Sequence, residues 1–194
     1  MTQIVLASTS QYRRELLERL GIPFDTASPD VDETALTYET PEQLVKRLAK
    51  LKARAVAEDF PDALIIGSDQ VAVLDNQILG KPGNHKTAVK QLNNASGKKV
   101  LFLTGLCLLN SATGESQINV DEYSVTFRQL SASQIENYLQ REQPYDCAGS
   151  FKSEGLGISL FEKMKGDDPN SLIGLPMITL INMLSAEGVD VLQN

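Results

Sequence analysis

A single carboxylate interrupts a long apolar stretch in the first half of the sequence. Asp69 follows an apolar run at 64–66 that ends in Gly67-Ser68, and it precedes another apolar run at 71–73. An unpaired carboxylate in a buried strand costs several kcal/mol or takes up a proton. Asp69 is therefore expected either to pair with a cation or to bind a metal ion.

Three further polar clusters carry the same kinds of group. They are Ser8-Thr9-Ser10 with Arg13, Asp32-Glu33, and Gly80-Lys81-Pro82. Together they offer hydroxyls, cations and carboxylates. A site that handles a metal-bound polyphosphate needs this combination, because cations neutralise the phosphates while carboxylates position water and the metal.

The first of these clusters lies between a strand-like run and a helix-like run. That order places backbone N–H groups and the hydroxyls of Ser8 and Ser10 at a helix N-terminus, where anions bind readily. Arg13 falls on the first turn and can reach back to the same anion. Neither a Walker A loop nor G-x-G-x-x-G is present. Taken alone, the pattern fits simple N-capping by Ser10 with a solvated Arg13 equally well.

Three other candidates are weaker when each is considered alone. Lys81, held between Gly80 and Pro82, can contact phosphate as a point charge, but an ordinary turn lysine has the same pattern. Glu33 belongs to an acidic loop, and such loops are usually solvated. Lys52 lies on a predicted helix, where a lysine is more often on a solvated face.

The other reactive side chains argue against several classes of protein. His85 is the only histidine and no G-x-S-x-G motif is present, which argues against a Ser-His-Asp hydrolase. Cys107 and Cys147 do not make a disulfide framework, so a reduced, cytoplasmic setting is expected. We expect no signal peptide and no membrane span, since no apolar run approaches the ~20 residues that a span needs.

Composition and charge restrict the partners. The chain is 42% hydrophobic and 22% charged, which is typical of a globular protein. Its net charge of −7 argues against a nucleic-acid partner, because such partners require a basic face. A polyanionic substrate would be repelled at long range. Its capture must then depend on a local cluster of cations and on a metal ion.

Strand and helix signals alternate along the chain, which predicts an α/β fold in a single domain over residues 1–194. The predicted strands are 3–7, 63–74, 99–110, 116–128 and 156–162. The predicted helices are 11–20, 41–58, 85–94, a helix capped by Ser131 that runs to about residue 139, and 170–186. In this arrangement Asp69 lies in a strand and Lys52 on a helix.

Taken together, the polar clusters resemble the Maf family of nucleotide pyrophosphatases. The resemblance rests on short stretches that follow the family's order from residue 4 to about residue 176. They are Leu6-Ala7-Ser8-Thr9-Ser10-x-x-Arg13, Val31-Asp32-Glu33, Lys52-Ala53, Gly67-Ser68-Asp69, Gly80-Lys81-Pro82, Thr104-Gly105 and Gly149-Ser150-Phe151-Lys152-Ser153-Glu154-Gly155. Each stretch is weak alone, but the ordered set is highly specific.

The resemblance implies a fold and a reaction. The implied fold is an elongated α/β structure with a mixed, twisted sheet, flanking helices and two lobes around a cleft, related to inosine triphosphate pyrophosphatases. The implied reaction is hydrolysis of a nucleoside triphosphate between the α- and β-phosphates. Members of the family are commonly homodimers and need a divalent cation such as Mg or Mn.

The resemblance also implies a role for each candidate residue. Asp69 matches the family's general base. The matching cleft residues are Glu33, Lys52 and Lys81, and those of the phosphate loop are Ser8, Ser10 and Arg13. Hard cations prefer oxygen ligands, so Glu33 and Asp69 are the natural holders of the metal. The sequence leaves open which carboxylate is the base and which is chiefly a ligand.

Three positions sort the family's subgroups by nucleotide: Tyr12, Gln70 and Glu154. The stretches at 67–71 and 151–155 resemble the subgroup that acts on N7-methylguanosine triphosphate. One carboxylate can accept both N–H donors on the guanine edge, which suits Glu154. An N7-methylated ring is cationic and favours an aromatic face by ~0.5–2 kcal/mol, which suits Tyr12. In isolation, Glu154 fits a loop acid paired with Lys152, and Tyr12 a half-buried helix aromatic.

Three alternatives stay open at the level of sequence. The first is a dTTP/UTP pyrophosphatase of the same family, although Gln70 and Glu154 argue against it. The second is a non-enzymatic nucleotide-binding regulator of septum formation, although a pure binder has no need of Asp69 as a base. The third is an α/β domain in which Asp69 only forms a salt bridge to a lysine.

Overall fold

The computed structural model describes residues 2–193. The strands are β1 (Gln3–Ala7), β2 (Asp25–Ala27), β3 (Ala63–Leu74), β4 (Gln77–Leu79), β5 (Lys99–Asn110), β6 (Ser116–Phe127) and β7 (Phe161–Lys165). The helices are α1 (Gln11–Glu18), α2 (Pro41–Ala55), α3 (His85–Ala95), α4 (Ala132–Glu142), α5 (Pro169–Ile173) and α6 (Met177–Ala186), with short 3₁₀ turns at Ala148–Ser150 and Leu156–Leu160. The prediction of an α/β fold with flanking helices is confirmed.

The strands pair in the order β2-β1-β3-β5-β6-β7, and β4 pairs with β3. The sheet is mixed, because β1 is parallel to β2 and β3, whereas β4 is antiparallel to β3 and β7 is antiparallel to β6. In the β1–β3 register, Ala7 lies opposite Gly67. Ser8 and Ser68, which follow these paired residues, therefore start from neighbouring positions in the sheet.

The chain divides into two compact units. Unit 1 comprises Met1–Asp69, Thr104–Asp121 and Gly174–Asn194, and unit 2 comprises Gln70–Leu103 and Glu122–Ile173. Each unit is thus built from separate segments of the chain, and strands β3, β5 and β6 each contribute residues to both.

Unit 1 has its own apolar core, in which α2 packs closely on strands. The helix begins with Thr40, whose hydroxyl accepts a hydrogen bond from the Gln43 backbone, and with Pro41 at its first turn. A Cβ atom on Gly67 would lie 2.1 Å from the carbonyl oxygen of Ala49, so only glycine allows this approach. The same holds for Gly105 of β5 against the carbonyl of Val45, also on α2, at 2.2 Å.

Unit 2 is centred on a cluster of four phenylalanine rings. Phe151 makes edge-to-face contacts with Phe102, Phe127 and Phe161, with ring centroids 4.8–5.7 Å apart. Such contacts add about 0.5–1.5 kcal/mol per pair to the burial of the rings. Phe151 thereby fixes the polar stretch that follows it.

The predicted strand over 156–162 is wrong in part. Residues 156–160 form a 3₁₀ turn, and the strand begins only at Phe161. Hydrogen bonds favour the turn, because the carboxylate of Glu142 accepts from the Leu156 backbone at 2.7 Å and the backbone carbonyl of Lys152 accepts from the Gly157 backbone at 3.1 Å. The apolar character of the stretch therefore reflects packing of a turn.

The single helix predicted over 170–186 is also wrong, since the structure has two helices, α5 and α6. Gly174, between them, has φ of +126°, outside the helical region. Pro176 has no N–H to donate to a preceding carbonyl and precedes the first residue of α6. Within residues 2–193, no helix is long and apolar enough to cross a membrane.

Candidate active site

Asp69 lies in unit 1, two residues past the point where β1 ends beside β3. Ser8 and Ser68 follow the paired residues Ala7 and Gly67. Ligand sites in α/β proteins commonly form at the carboxyl ends of parallel strands. The carboxyl end of β1 therefore brings hydroxyl groups towards the stretch of β3 that carries Asp69.

Lys52 of α2 links two carboxylates. Its Nζ atom is 2.7 Å from Oδ1 of Asp69 and 2.5 Å from Oε1 of Glu33. The side chains of Lys52 and Asp69 are only 8% and 10% exposed, whereas that of Glu33 is 60% exposed. Because Gly67 admits the backbone of α2 at Ala49, Lys52 can reach the strand that bears Asp69. Lys52 is thus a buried member of an ion-pair cluster, not a solvated helix residue.

The phosphate loop predicted from sequence is built around Arg13. Ser10 caps α1 and accepts a hydrogen bond from the Arg13 backbone. The hydroxyl of Ser8 accepts from the Ser10 backbone at 3.1 Å and from Nη1 of Arg13 at 3.4 Å. Ser10 therefore does cap the helix, as the simple alternative expects. Arg13, however, is partly buried and folded back towards Ser8.

The charge of Arg13 is set by its surroundings. Burial lowers the pKa of its guanidinium, while the carboxylates of Asp69 and Glu33 act in the opposite direction and favour the charged form. An arginine side chain held in this way presents a fixed positive charge within electrostatic range of the two carboxylates. This arrangement is suited to binding an anion close to Asp69.

The carbonyl of Gly174 anchors the loop from the other end of the chain, and the sequence did not single it out. It accepts a hydrogen bond from Nε of Arg13 at 2.8 Å and another from the hydroxyl of Ser68 at 3.0 Å. Gly174 is buried and lies between α5 and α6, outside both helices. Its sequence signal was the Gly174-Leu175-Pro176 interruption of an apolar helical pattern.

A second residue that the sequence did not single out is Arg47. It lies on α2, and its Nη2 atom donates to the carbonyl of Thr34 at 3.0 Å. Thr34 directly follows Glu33. Helix α2 therefore holds the loop that presents Glu33, in addition to carrying Lys52.

The remaining predicted residues have different positions. Tyr12 is a half-buried residue of α1 in unit 1. Gln70, Lys81 and Glu154 belong to unit 2, where Lys81 and Glu154 are exposed. Unit 1 thus brings together the predicted base, the predicted phosphate loop and two of the three predicted cleft residues.

The sequence that builds this site matches a known protein family. Residues 3–187 match the family model described as "Maf-like protein". The chain belongs to the Maf family.

Curated Maf-family relatives cover nearly the whole chain. A protein from Nitrosococcus oceani named "7-methyl-GTP pyrophosphatase" is 59% identical over 97% of this chain and 95% of its own length. Proteins of the same name from Pseudoalteromonas translucida and Methylobacillus flagellatus are 59% and 57% identical. These two alignments cover 97% and 99% of this chain, and 94% and 100% of the relatives.

Solved structures with a similar fold include two Ham1 proteins. The Coxiella burnetii protein has a TM-score of 0.54 at 13% identity, and the Staphylococcus aureus protein has 0.53 at 14%. Each alignment covers 96% of this chain and 100% of the solved chain. At this identity the likeness describes the fold alone.

The amide of Gln70 is engaged within unit 2 of this Maf chain. Its Nε2 atom donates to the carbonyl of Ser171 at 2.6 Å and lies 3.3 Å from that of Leu172. Both acceptors are on α5. The position after Asp69, which the sequence associates with nucleotide choice, therefore also ties β3 to α5.

The carboxylates of this Maf chain fit a hard divalent cation in part. Glu33 and Asp69 supply oxygen donors, which Mg and Mn prefer. Lys52 already contacts one oxygen of each. Among residues 2–193, no cluster of three or more His, Cys, Asp or Glu side chains is placed to hold a metal. This donor set fits a cation that takes one or two carboxylates from the protein and its other ligands from water and phosphates.

Proposed function

We propose that this chain is a nucleoside triphosphate pyrophosphatase that hydrolyses 7-methyl-GTP to 7-methyl-GMP and pyrophosphate, removing modified nucleotides. The observation that carries the proposal is the buried Asp69–Lys52 pair with Arg13 beside it. The names of the near full-length relatives support the substrate.

The reaction requires a base for water. In the proposed step, Asp69 takes a proton from a water molecule whose oxygen attacks the α-phosphorus, and the bond from this phosphorus to the bridging oxygen breaks. The bridging oxygen leaves with the pyrophosphate. Lys52 contacts both carboxylates, but Asp69 suits the role of base better than Glu33, because Asp69 is enclosed and Glu33 is largely exposed.

Negative charge grows on the leaving pyrophosphate and must be neutralised. We assign this role to Arg13, Lys52 and Lys81, with the hydroxyls of Ser8 and Ser10 binding a phosphate oxygen. Arg13 can present two parallel N–H donors to phosphate, whereas a lysine acts as a point charge.

A divalent cation, Mg or Mn, completes the proposal as the cofactor. Glu33 and Asp69 are the residues that would hold it. Bound there with the nucleotide, it would supply Lewis-acid stabilisation of the phosphates. The protein residues would still have to orient the water and accept its proton.

We assign recognition of the nucleobase to three side chains. Glu154 would accept the N1–H and N2–H donors of guanine, and Tyr12 would stack on the cationic N7-methylated ring. Gln70 would act through its hold on the α5 backbone.

The cellular setting follows from the same assignment. We propose a cytoplasmic homodimer in which residues 1–194 of each chain form a single Maf-like domain. Cys107 and Cys147 are not joined in a disulfide, which suits a reducing compartment. Light scattering coupled to size exclusion would test the homodimer.

The deciding experiment is pyrophosphate release from 7-methyl-GTP, GTP, dTTP, UTP, CTP and ITP with Mg or Mn. We expect preference for the methylated guanine, loss of turnover but retained nucleotide binding in Asp69→Asn, and reduced preference in Glu154→Gln. The exposed acids Asp62→Asn and Glu162→Gln are matched controls and should leave the rates unchanged.

Other outcomes would redirect the proposal. Preference for dTTP or UTP would keep the mechanism and overturn the role of Glu154. If no nucleotide is hydrolysed but nucleotides still bind, the regulator is favoured. Activity that persists in Asp69→Asn would show that Asp69 is not the base.

A further inference from the structure

Two loops of unit 2 meet at one side chain, that of Gln91 on α3. The first loop is Gly80–Gly83, which carries Lys81, and the second is the stretch 147–155, which carries Glu154. Nε2 of Gln91 donates to the carbonyl of Gly80 at 3.0 Å. Its Oε1 atom accepts a short hydrogen bond from the hydroxyl of Ser150. One amide thus joins both loops.

The contact with Ser150 falls at a strained position. Ser150 is fully buried and has φ of +64°, a conformation that is uncommon for residues other than glycine. Such strain persists only where the surroundings enforce it, and it is often found at functional sites. The next residue is Phe151, which the aromatic cluster fixes. The loop therefore has little freedom to relax independently of Gln91.

A second hydrogen bond ties the first loop to the residues just before the second loop. The Gly83 backbone N–H donates to the carbonyl of Tyr145 at 2.9 Å, two residues before Cys147. The carbonyl of Cys147 in turn accepts from the Ser150 backbone at 3.1 Å. A displacement of the first loop relative to the second would therefore strain the bonds to Gln91 or the bond between Gly83 and Tyr145.

We propose that Gln91 is a positioning residue that sets the Lys81 loop and the Glu154 loop in one fixed geometry. This inference rests on the proposed function for the roles of Lys81 and Glu154. Its consequence is that recognition of the nucleobase by Glu154 and neutralisation of phosphate charge by Lys81 depend on each other through Gln91. The residue acts through the loops and touches neither the base nor the phosphates.

Glutamine suits this position because its amide has a donor and an acceptor at one end. Gln91→Met keeps the length of the side chain and removes both bonds. Gln91→Glu keeps an acceptor for Ser150 but has no donor for the Gly80 carbonyl. Ser150→Ala removes only the bond to the second loop.

Hydrogen exchange measured by mass spectrometry tests the link without using activity. In Gln91→Met, we expect amide exchange to rise about tenfold in both segments, 78–84 and 147–153, relative to the wild type. Asn94→Leu, an exposed substitution three residues further on α3, is the control and should change neither segment. A rise in one segment only, or in neither, would overturn the proposal.

Kinetics then test the coupling. We expect Gln91→Met to lower kcat/KM for 7-methyl-GTP about tenfold, and to lower the preference over GTP as well. In a Lys81→Met background, the same substitution should lower kcat/KM by clearly less than tenfold, because one of the two displaced groups is already missing. Equal costs in both backgrounds would overturn the coupling. A wild-type protein without activity would reject the proposed function instead, while the exchange result would still decide the link.

Discussion

The guanidinium of Arg47 and the carboxylate of Glu39 form a two-pronged ion pair. Nε lies 2.6 Å from Oε1 and Nη2 lies 2.8 Å from Oε2. The same carboxylate accepts from the Leu36 backbone at 3.0 Å, and the same guanidinium donates to the carbonyl of Thr34. The pair therefore fastens the loop that carries Glu33 to helix α2 at Arg47, which lies five residues before Lys52.

We expect Arg47→Met to release this loop and to lower kcat/KM at least tenfold, because Glu33 would lose its fixed position beside Lys52. Arg47→Lys should not restore activity, since an ammonium cannot reproduce the planar fork. Steady-state kinetics check both variants. Lys46→Met is the control, because it removes an exposed i,i+4 pair with Glu42 on the same helix and should have little effect. Full activity in Arg47→Met would contradict the role of the pair.

The pair also predicts how stability depends on pH. The hydrogen bonds from Arg47 lower the pKa of Glu39 from 4.5 to about 2. A carboxyl group with a lowered pKa in the folded state stabilises the protein fully above its unfolded pKa, and this stabilisation is lost as the pH falls towards the folded value. Urea unfolding of wild type and Glu39→Gln should therefore differ most near neutral pH. The difference should shrink between pH 4.5 and 2, and a difference that grows on acidification would contradict the assignment.

The close approach of α2 to the sheet makes a sharp prediction for Gly67. An added Cβ would lie 2.1 Å from a backbone carbonyl oxygen, which cannot rotate away. We expect Gly67→Ala to lower the free energy of unfolding by about 3 kcal/mol, through displacement of the helix. Gly80→Ala is the matched control, because a Cβ there would have no atom within 4 Å. Chemical denaturation measures both variants, and equal stability of the two would contradict the packing.

The two thiols should react very differently. Cys107 is fully buried in β5, and this burial raises the pKa of its thiol to about 11. Cys147 is only partly buried. Alkylation of the native protein at pH 8 should label Cys147 alone, and labelling in denaturant should reach both. The Cys147→Ser variant should take up no label while folded. Rapid labelling of Cys107 in this variant would show that β5 opens readily.

Local patterns were sufficient for much of the fold. Strand β3 was predicted with its observed bounds of 63–74, because its apolar run is long and rich in branched residues. The start of α2 was readable from Pro41, which occupies the first turn. The unusual carboxylate in β3 led to the expectation that Asp69 pairs with a cation or binds a metal ion. Lys52 is that cation in the structure.

The anchors of the site could not be read in the same way. Gly174 acts through a backbone carbonyl, and no residue type identifies a carbonyl that accepts two distant donors. Arg47 had the pattern of an ordinary helix residue, since its partner Glu39 lies outside the helix. The boundary between α5 and α6 depends on Gly174 and Pro176. Apolar residues recur at helical spacing on both sides of this boundary, so the sequence predicted one continuous helix.

The bond between Arg13 and Gly174 spans 161 positions of the chain. During synthesis, Arg13 leaves the ribosome long before Gly174 has been translated. Arg13 therefore cannot form this bond until most of the chain has been made. The Lys52–Asp69 pair, only 17 positions apart, can close much earlier. A chain that stops before Gly174 would therefore hold its acid and its lysine together while the arginine lacks this anchor. The proposed anion site is therefore completed only late in the synthesis of each chain.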